Sequence, residues 1–239
     1  MQADVSVSAF AQSLPAEYGR RFNPAQIAAH AHTSVNRGNR AVAATLFPWA
    51  DPGVSALCVV AEDRPGLLSL ISSALTELGF DVDAAEAYTR ANAHEAVDVF
   101  WLRDPAGRVG QTQVDAFVQL VEEILAGRPE RVPAVAPVPA APAAGAGTTV
   151  RFIEDENGAL TVLEVETDDR SGLLWTITRA LYRQNVQIVG SKIRTEAHRV
   201  YDRFTIVELD GSLIRDERRL TIQVEVLSAV AQPSGTTPH

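Results

Sequence analysis

The chain has 239 residues, 46% of them hydrophobic, and its 30 acidic and 21 basic side chains give a formal net charge of -9. This size and composition allow a buried core in one or two domains. The acidic balance argues against broad nucleic-acid binding, which depends on a basic surface. Because Cys58 is the only cysteine, an internal disulfide is excluded and a reducing compartment fits.

The N-terminal region gives no sign of membrane insertion or export. Apolar runs stay well below the roughly 18 residues that a membrane-spanning helix requires. Residues 1–5 lack the basic and apolar regions of a signal peptide. We therefore expect a cytoplasmic protein that contacts neither a membrane nor nucleic acid. Residues 1–50 are predicted to be an N-terminal segment with one short helix near residues 25–32, too small to be a domain.

A first structural unit is predicted over residues 51–127. A β-rich run at 54–61 leads into the turn Asp63-Arg64-Pro65-Gly66, and an apolar stripe of helical period follows from Leu67 to Leu78. Gly79 is expected to end this helix. Residues 80–90 and 96–103 then form a predicted hairpin, and a second apolar stripe at residues 114–125 predicts a closing helix.

Residues 128–149 differ sharply in composition from the rest of the chain. They are almost entirely Pro, Ala, Val and Gly, with prolines at positions 129, 133, 137, 139 and 142. Proline removes backbone donors and disfavours helix, so this stretch is predicted to be a semi-extended linker. It leaves residues 150–231 as a second unit and 232–239 as a disordered tail.

The second unit repeats the first at an offset of 106 residues. Its turn, Asp169-Arg170-Ser171-Gly172, again follows a β-rich run and precedes an apolar helical stripe. In the second strand of the hairpin, Asp98 and Phe100 correspond to Asp202 and Phe204 at offset 104, so the first hairpin carries two extra residues. The last element fits strand alternation as well as a helix; the acidic pair at 216–217 favours the helix. The fold class is therefore α+β, two copies of strand-helix-strand-strand-helix.

The segment "DRPGLL", which recurs as "DRSGLL", resembles together with its flanking strand, helix and hairpin the ACT domain, a ferredoxin-like βαββαβ regulatory module. The stretch "DRSGLLWTITRALYRQNVQIVGSKIRTEAHRVYDRF" resembles the C-terminal tandem ACT pair of bacterial protein-PII uridylyltransferases, and "LPAEYGRRFNPAQIAAHAH" resembles the segment before it. The resemblance implies a regulatory protein that binds a small amino acid, glutamine first, at these turns, commonly between two ACT units.

The catalytic motifs of those enzymes are not found in this sequence. Asp81-Val82-Asp83 has no Gly-Ser motif before it, and the chain contains no His-Asp dipeptide. We therefore expect a free-standing, non-enzymatic sensor without a cofactor. No metal is predicted either, because His30 and His32, two residues apart, point to different sides of a helix.

Each turn offers groups suited to a zwitterion. A helix N-terminus attracts an α-carboxylate, and a glycine allows close approach to the backbone. An aspartate accepts hydrogen bonds from an α-ammonium, and an arginine pairs with a carboxylate or a partner surface. The predicted ligand-binding residues are Asp63, Arg64, Pro65, Gly66, Leu67, Asp169, Arg170, Ser171, Gly172 and Leu173.

Alternatives remain open at this stage. The same turns are also explained by structure alone, with the aspartate as an N-cap and proline and glycine as turn formers. Ser171 replaces the proline of the family pattern, which leaves open which copy binds. Three functions then remain open. The chain senses an amino acid and signals to a partner enzyme or through self-association. Alternatively, it is an interaction scaffold that pairs through an open sheet edge, or the separated regulatory fragment of a uridylyltransferase.

Overall fold

A computed structural model describes residues 2–51, 53–90, 94–103, 107–128, 147–154 and 160–231. Within them the fold is α+β, with seven helices and eight strands. The helices are α1 (Gln2–Gln12), α2 (Ala16–Arg21), α3 (Pro24–Arg37), α4 (Leu67–Glu77), α5 (Gln111–Leu125), α6 (Leu173–Arg183) and α7 (Asp216–Ala231). The strands are β1 (Val42–Phe47), β2 (Ser55–Glu62), β3 (Asp81–Arg90), β4 (Glu95–Arg103), β5 (Thr149–Glu154), β6 (Thr161–Asp168), β7 (Val186–Glu196) and β8 (Arg199–Glu208). Most of the predicted linker (129–146) and the predicted tail (232–239) lie outside the described residues.

The duplicated pattern is present in the structure. Strand, helix, hairpin and helix follow each other as β2, α4, β3–β4 and α5, and again as β6, α6, β7–β8 and α7. Four residues separate β3 from β4 and two separate β7 from β8, which accounts for the change of offset. Gly79 ends α4 with a φ of +78°. The ambiguous last element is a helix, α7, as the acidic first turn favours.

All eight strands form one antiparallel sheet in the order β1-β2-β4-β3-β7-β8-β6-β5. The two copies meet at its centre, where β3 pairs with β7 over four residue pairs. The sequence left open whether the copies pair within or between chains. They pair here within one chain.

The outer strand of each copy corrects the expected strand order. The resemblance implies a final strand after the second helix of each copy, and the scaffold hypothesis depends on an open sheet edge. Instead β1 and β5 precede the other elements of their copies and pair with β2 and β6 over six residue pairs each. In each copy, a strand that comes earlier in the chain therefore occupies the outer position of the sheet, where the resemblance implies the final strand. Strand β1 also lies within the segment 1–50, for which the sequence predicts only one short helix.

Helices cover the two faces of the sheet differently. On one face, helices α5, α4, α6 and α7 cover both halves and form one continuous core with them. On the opposite face, α1, α2 and α3 pack on the first half around an aromatic cluster of Tyr18, Phe22 and Trp101, and α2 reaches the edge of the second half. Strand β2 is buried on both faces and is apolar over residues 56–61, whereas β6 alternates buried and half-buried residues.

The remaining predictions about single residues concern the interior. Cys58 is buried in β2 and belongs to the apolar cluster between the sheet and the N-terminal helices, as predicted for a small hydrophobic residue. His30 is buried while His32 is exposed, so their side chains do diverge. No helix in the described part of the chain is long and apolar enough to cross a membrane.

Candidate functional site

Two clefts lie at the junction of the halves, and each combines the turn of one copy with elements of the other. The first contains the turn at 63–67 together with Thr178 and Tyr182 of α6 and the start of β7. The second contains the turn at 169–174 together with Ser72 and Thr76 of α4 and the start of β3. The clefts are narrow and similar in size, at about 440 and 400 Å³ when the space open to solvent is counted. The duplication thus produces two related sites that neither copy forms alone.

The two turns have the same backbone structure. The Asp63 N–H donates to the His94 carbonyl over 2.8 Å, and the Asp169 N–H donates to the His198 carbonyl over the same distance. Gly66 and Gly172 precede the helices with φ angles of +78° and +73°, a region that favours glycine. These glycines, rather than the aspartates, occupy the N-cap positions, and no side chain caps either helix. The N-cap explanation of Asp63 and Asp169 is therefore wrong.

Each cleft contains one buried aspartate, which comes from the second strand of a hairpin. Asp98 lines the first cleft and is 3% exposed, and Asp202 lines the second and is 1% exposed. Burial, together with the charge of Asp63, raises the pKa of Asp98 to about 8. Burial and the charge of Asp169 raise the pKa of Asp202 well above its usual range. Among the described residues, no cation offsets the effect of burial on the pKa of either aspartate.

The second cleft also holds an unpaired arginine. The Nε and Nη2 atoms of Arg170 are buried and have no hydrogen-bond partner among the described residues. Burial lowers the pKa of this guanidinium. In the first cleft, Arg64 is instead partly exposed and lies 3.8 Å from the Glu62 carboxylate. The equivalent arginines are thus in different electrostatic environments.

Acidic groups from both halves meet in the second cleft. Burial raises the pKa of Asp169, and the charge of Asp81, which comes from β3 of the other half, raises it further. Asp81 itself lines the cleft, and burial together with neighbouring Asp83 raises its pKa. Arg103 is bound to Asp83 over 2.8 Å, so its charge is largely engaged. The cleft therefore carries three acidic groups against one unpaired cation.

Eight of the ten predicted ligand-binding residues line the clefts, four in each. Pro65 and Ser171 are exposed and do not line them. The prediction missed Asp98, Asp202, Thr76 and Tyr182. The signal for the first two was present, since an aspartate stands at the equivalent position of both apolar hairpin strands. Thr76 and Tyr182 belong to the opposite copy, and only the fold brings them to the turns.

His30, one of the two histidines considered as metal ligands, lies away from both clefts. Tyr18 Oη and His30 Nδ1 are 2.6 Å apart in the buried layer behind β2, and burial lowers the pKa of His30 to about 4. No group of three His, Cys, Asp or Glu side chains in the described residues is arranged to hold a metal ion. Trp175 is buried on α6 and packs in the interior.

Comparison with known proteins points to one enzyme class. No protein-family model matches the chain. The bifunctional uridylyltransferase/uridylyl-removing enzyme of Erythrobacter litoralis is 31% identical over 186 residues, 75% of this chain and 20% of that enzyme. The enzyme of the same description from Azospirillum brasilense is 30% identical over 212 residues, 85% of this chain and 21% of the enzyme. In Phenylobacterium zucineum the figures are 28% over 245 aligned positions, 99% of this chain and 26% of the enzyme.

The chain therefore spans about a fifth to a quarter of the length of these curated relatives. It resembles one region of such enzymes along most of its own length. A solved structure from Galdieria sulphuraria, described as an unknown protein, is 16% identical and covers 74% of this chain and 87% of its own, at a TM-score of 0.22. That score is too low to inform the fold.

Proposed function

We propose that this chain is a regulatory region of the uridylyltransferase type, built from two ACT-type halves, that binds a small amino acid between them and signals to a partner. One observation carries the proposal: each repeated Asp-Arg-x-Gly turn faces a helix and a strand of the other half. A ligand seated there contacts both halves. Its binding therefore favours one arrangement of the halves over another, which is what a sensor requires.

The chemistry of the turns supports an amino acid as the ligand. An α-carboxylate is a suitable acceptor for the arginine and for amide groups at a helix N-terminus that no side chain caps. An α-ammonium is a suitable donor to the buried aspartates, because it would stabilise their charged form, which burial otherwise disfavours. L-glutamine is the first ligand to test, because it is the one that the resemblance to uridylyltransferases implies. The proposed role is regulatory, not catalytic.

Isothermal titration of the chain against the twenty amino acids tests this proposal. We expect saturable binding of L-glutamine at neutral pH, and at least a tenfold loss of affinity in Arg170→Gln. The matched control is Arg203→Gln, because Arg203 is 61% exposed and contacts Glu164 outside the clefts. If none of the twenty amino acids binds, the proposed sensor function is wrong.

A second candidate function is a docking scaffold, and α7 supports it. Leu220, Val224 and Leu227 are 67%, 52% and 39% exposed, at positions i, i+4 and i+7 of one helix. Such an apolar stripe is suited to a partner helix or a second copy of the chain. On this hypothesis Leu220→Glu with Val224→Glu abolishes partner binding or self-association and leaves amino-acid binding intact. Sedimentation and pull-down with and without L-glutamine separate the two functions.

A further inference from the structure

The two clefts differ in how many buried polar atoms lack partners. In the second, the structure leaves both Asp202 oxygens, two Arg170 nitrogens and the Thr195 hydroxyl without a hydrogen bond of normal geometry among the described residues. In the first cleft, only the Ser69 hydroxyl is buried without a hydrogen-bond partner among the described residues. The Arg194 backbone N–H lowers the pKa of Asp202, but less than burial raises it.

Unpaired buried polar groups are unfavourable in a folded protein. Such a group loses its hydrogen bonds to water without replacing them, and a charged group loses more than a neutral one. Their accumulation in one cleft therefore indicates a site whose partners arrive with a ligand. The signs match an amino acid: two adjacent donors on a guanidinium suit a carboxylate, and the carboxylates of Asp169 and Asp202 suit an ammonium.

The residue that faces the turn from the other half also differs. Tyr182 and Thr76 occupy equivalent positions at offset 106, and they line the first and second clefts respectively. The Tyr182 ring lies directly against Gly66: a Cβ on that glycine would be 2.6 Å from Tyr182 Cδ2. The backbone surface that a ligand would approach at Gly66 is therefore already covered. In the second cleft the smaller Thr76 stands in the place of the tyrosine.

We propose that only the second cleft takes the amino acid, one per chain, with its α-carboxylate on Arg170 and its α-ammonium on Asp169 and Asp202. Thr76 admits the ligand there, and Tyr182 excludes it from the first cleft. This inference rests on the proposed function and narrows it. The first turn then has a structural role, in which Gly66 provides the surface on which Tyr182 packs and thereby joins the halves.

Stoichiometry is the first test. Titration of the full chain with L-glutamine should give one site per chain. Asp202→Asn should weaken binding at least tenfold, whereas Asp98→Asn, its counterpart in the first cleft, should change affinity less than twofold. Arg170→Gln and Arg64→Gln form a second matched pair with the same expected contrast. Thermal unfolding of each variant verifies that it is folded.

The side chain that faces the turn is the second test. Thr76→Tyr should abolish L-glutamine binding by placing a ring where Tyr182 lies in the first cleft. Leu78→Tyr is the control, because Leu78 follows the same helix, is 37% exposed and lies outside both clefts. It should bind like the unmodified chain.

The outcomes separate this inference from the proposed function. Two sites per chain, or a loss of binding in Asp98→Asn but not in Asp202→Asn, would overturn the choice of cleft and leave the sensor function standing. Undiminished binding by Thr76→Tyr would overturn the role of Thr76. If none of the twenty amino acids binds, both proposals fail together.

Discussion

Glu86 of β3 and Lys192 of β7 are directly opposite each other at the centre of the sheet. They are also equivalent in the repeat, since 192 - 86 = 106. The approximate twofold axis relating the halves therefore passes through this pair. Helix α2 contacts both: Arg21 Nε is 2.7 Å from Glu86 Oε1, and Lys192 Nζ is 3.1 Å from Glu17 Oε2. One N-terminal helix thus spans the line where the halves join.

The two ion pairs of α2 are expected to differ in strength. Glu86 is 14% exposed and accepts hydrogen bonds from both Arg21 and the Tyr88 hydroxyl, so Glu86→Gln should lower the free energy of unfolding by about 1–3 kcal/mol. Lys192 is 59% exposed, so Lys192→Gln should cost less than about 1 kcal/mol. Urea unfolding measures both. Equal losses in the two variants would contradict this ranking.

Gly66 and Gly79 provide a matched pair for measuring the contact with Tyr182. Both have a φ of +78°, but a Cβ at Gly79 would have no neighbour within 4 Å. Gly79→Ala should therefore cost only the backbone strain, about 1–2 kcal/mol. Gly66→Ala should cost more, because the Tyr182 ring must also move.

The same pair has an internal check. In a Tyr182→Ala background no ring opposes the new methyl group. There, Gly66→Ala should lower the free energy of unfolding by the same amount as Gly79→Ala does in the parent chain. Thermal or urea unfolding of the four variants and the parent measures this. A Gly66→Ala variant no less stable than Gly79→Ala would show that the ring adjusts freely.

Asp98 should make the chain less stable as pH rises. Its folded-state pKa of about 8 lies above the ordinary value of 3.8, so the folded state retains a proton that the unfolded state has lost. Stability therefore falls between about pH 4 and pH 8, by at most about 1.4 kcal/mol per pH unit. Asp98→Asn lacks this dependence. Its stability relative to the parent should increase from pH 5 to pH 8 in urea unfolding, and a constant difference would contradict the elevated pKa.

Local sequence pattern was sufficient for some of these features and insufficient for others. The turns, the helices after them and the hairpins follow from apolar periodicity and glycine placement, and these patterns lie within one copy. Strands β1 and β5 were missed because their identity depends on pairing with β2 and β6, which leaves little local signal in a six-residue run. Asp98 and Asp202 were aligned but not recognised as site residues, because their importance comes from burial against the opposite half.

The charges in the second cleft predict discrimination between L-glutamine and L-glutamate. Asp81 and Asp169 line the cleft, and Arg170 is the one unpaired cation among its described residues, so a ligand with a second carboxylate adds repulsion. A unit charge about 6 Å from another costs about 3 kcal/mol at an effective dielectric of about 20. We therefore expect L-glutamate to bind at least tenfold more weakly than L-glutamine.

Asp81 is the residue through which this discrimination is best tested. It comes from β3, opposite the turn that holds the α-carboxylate and α-ammonium, so its charge acts on the ligand without forming the zwitterion contacts. Asp81→Asn should therefore narrow the ratio of the two affinities in titrations at neutral pH, mainly by improving L-glutamate. Asp115→Asn, on the exposed face of α5, should leave the ratio unchanged. Equal affinity for the two amino acids in the parent chain would contradict the charge argument.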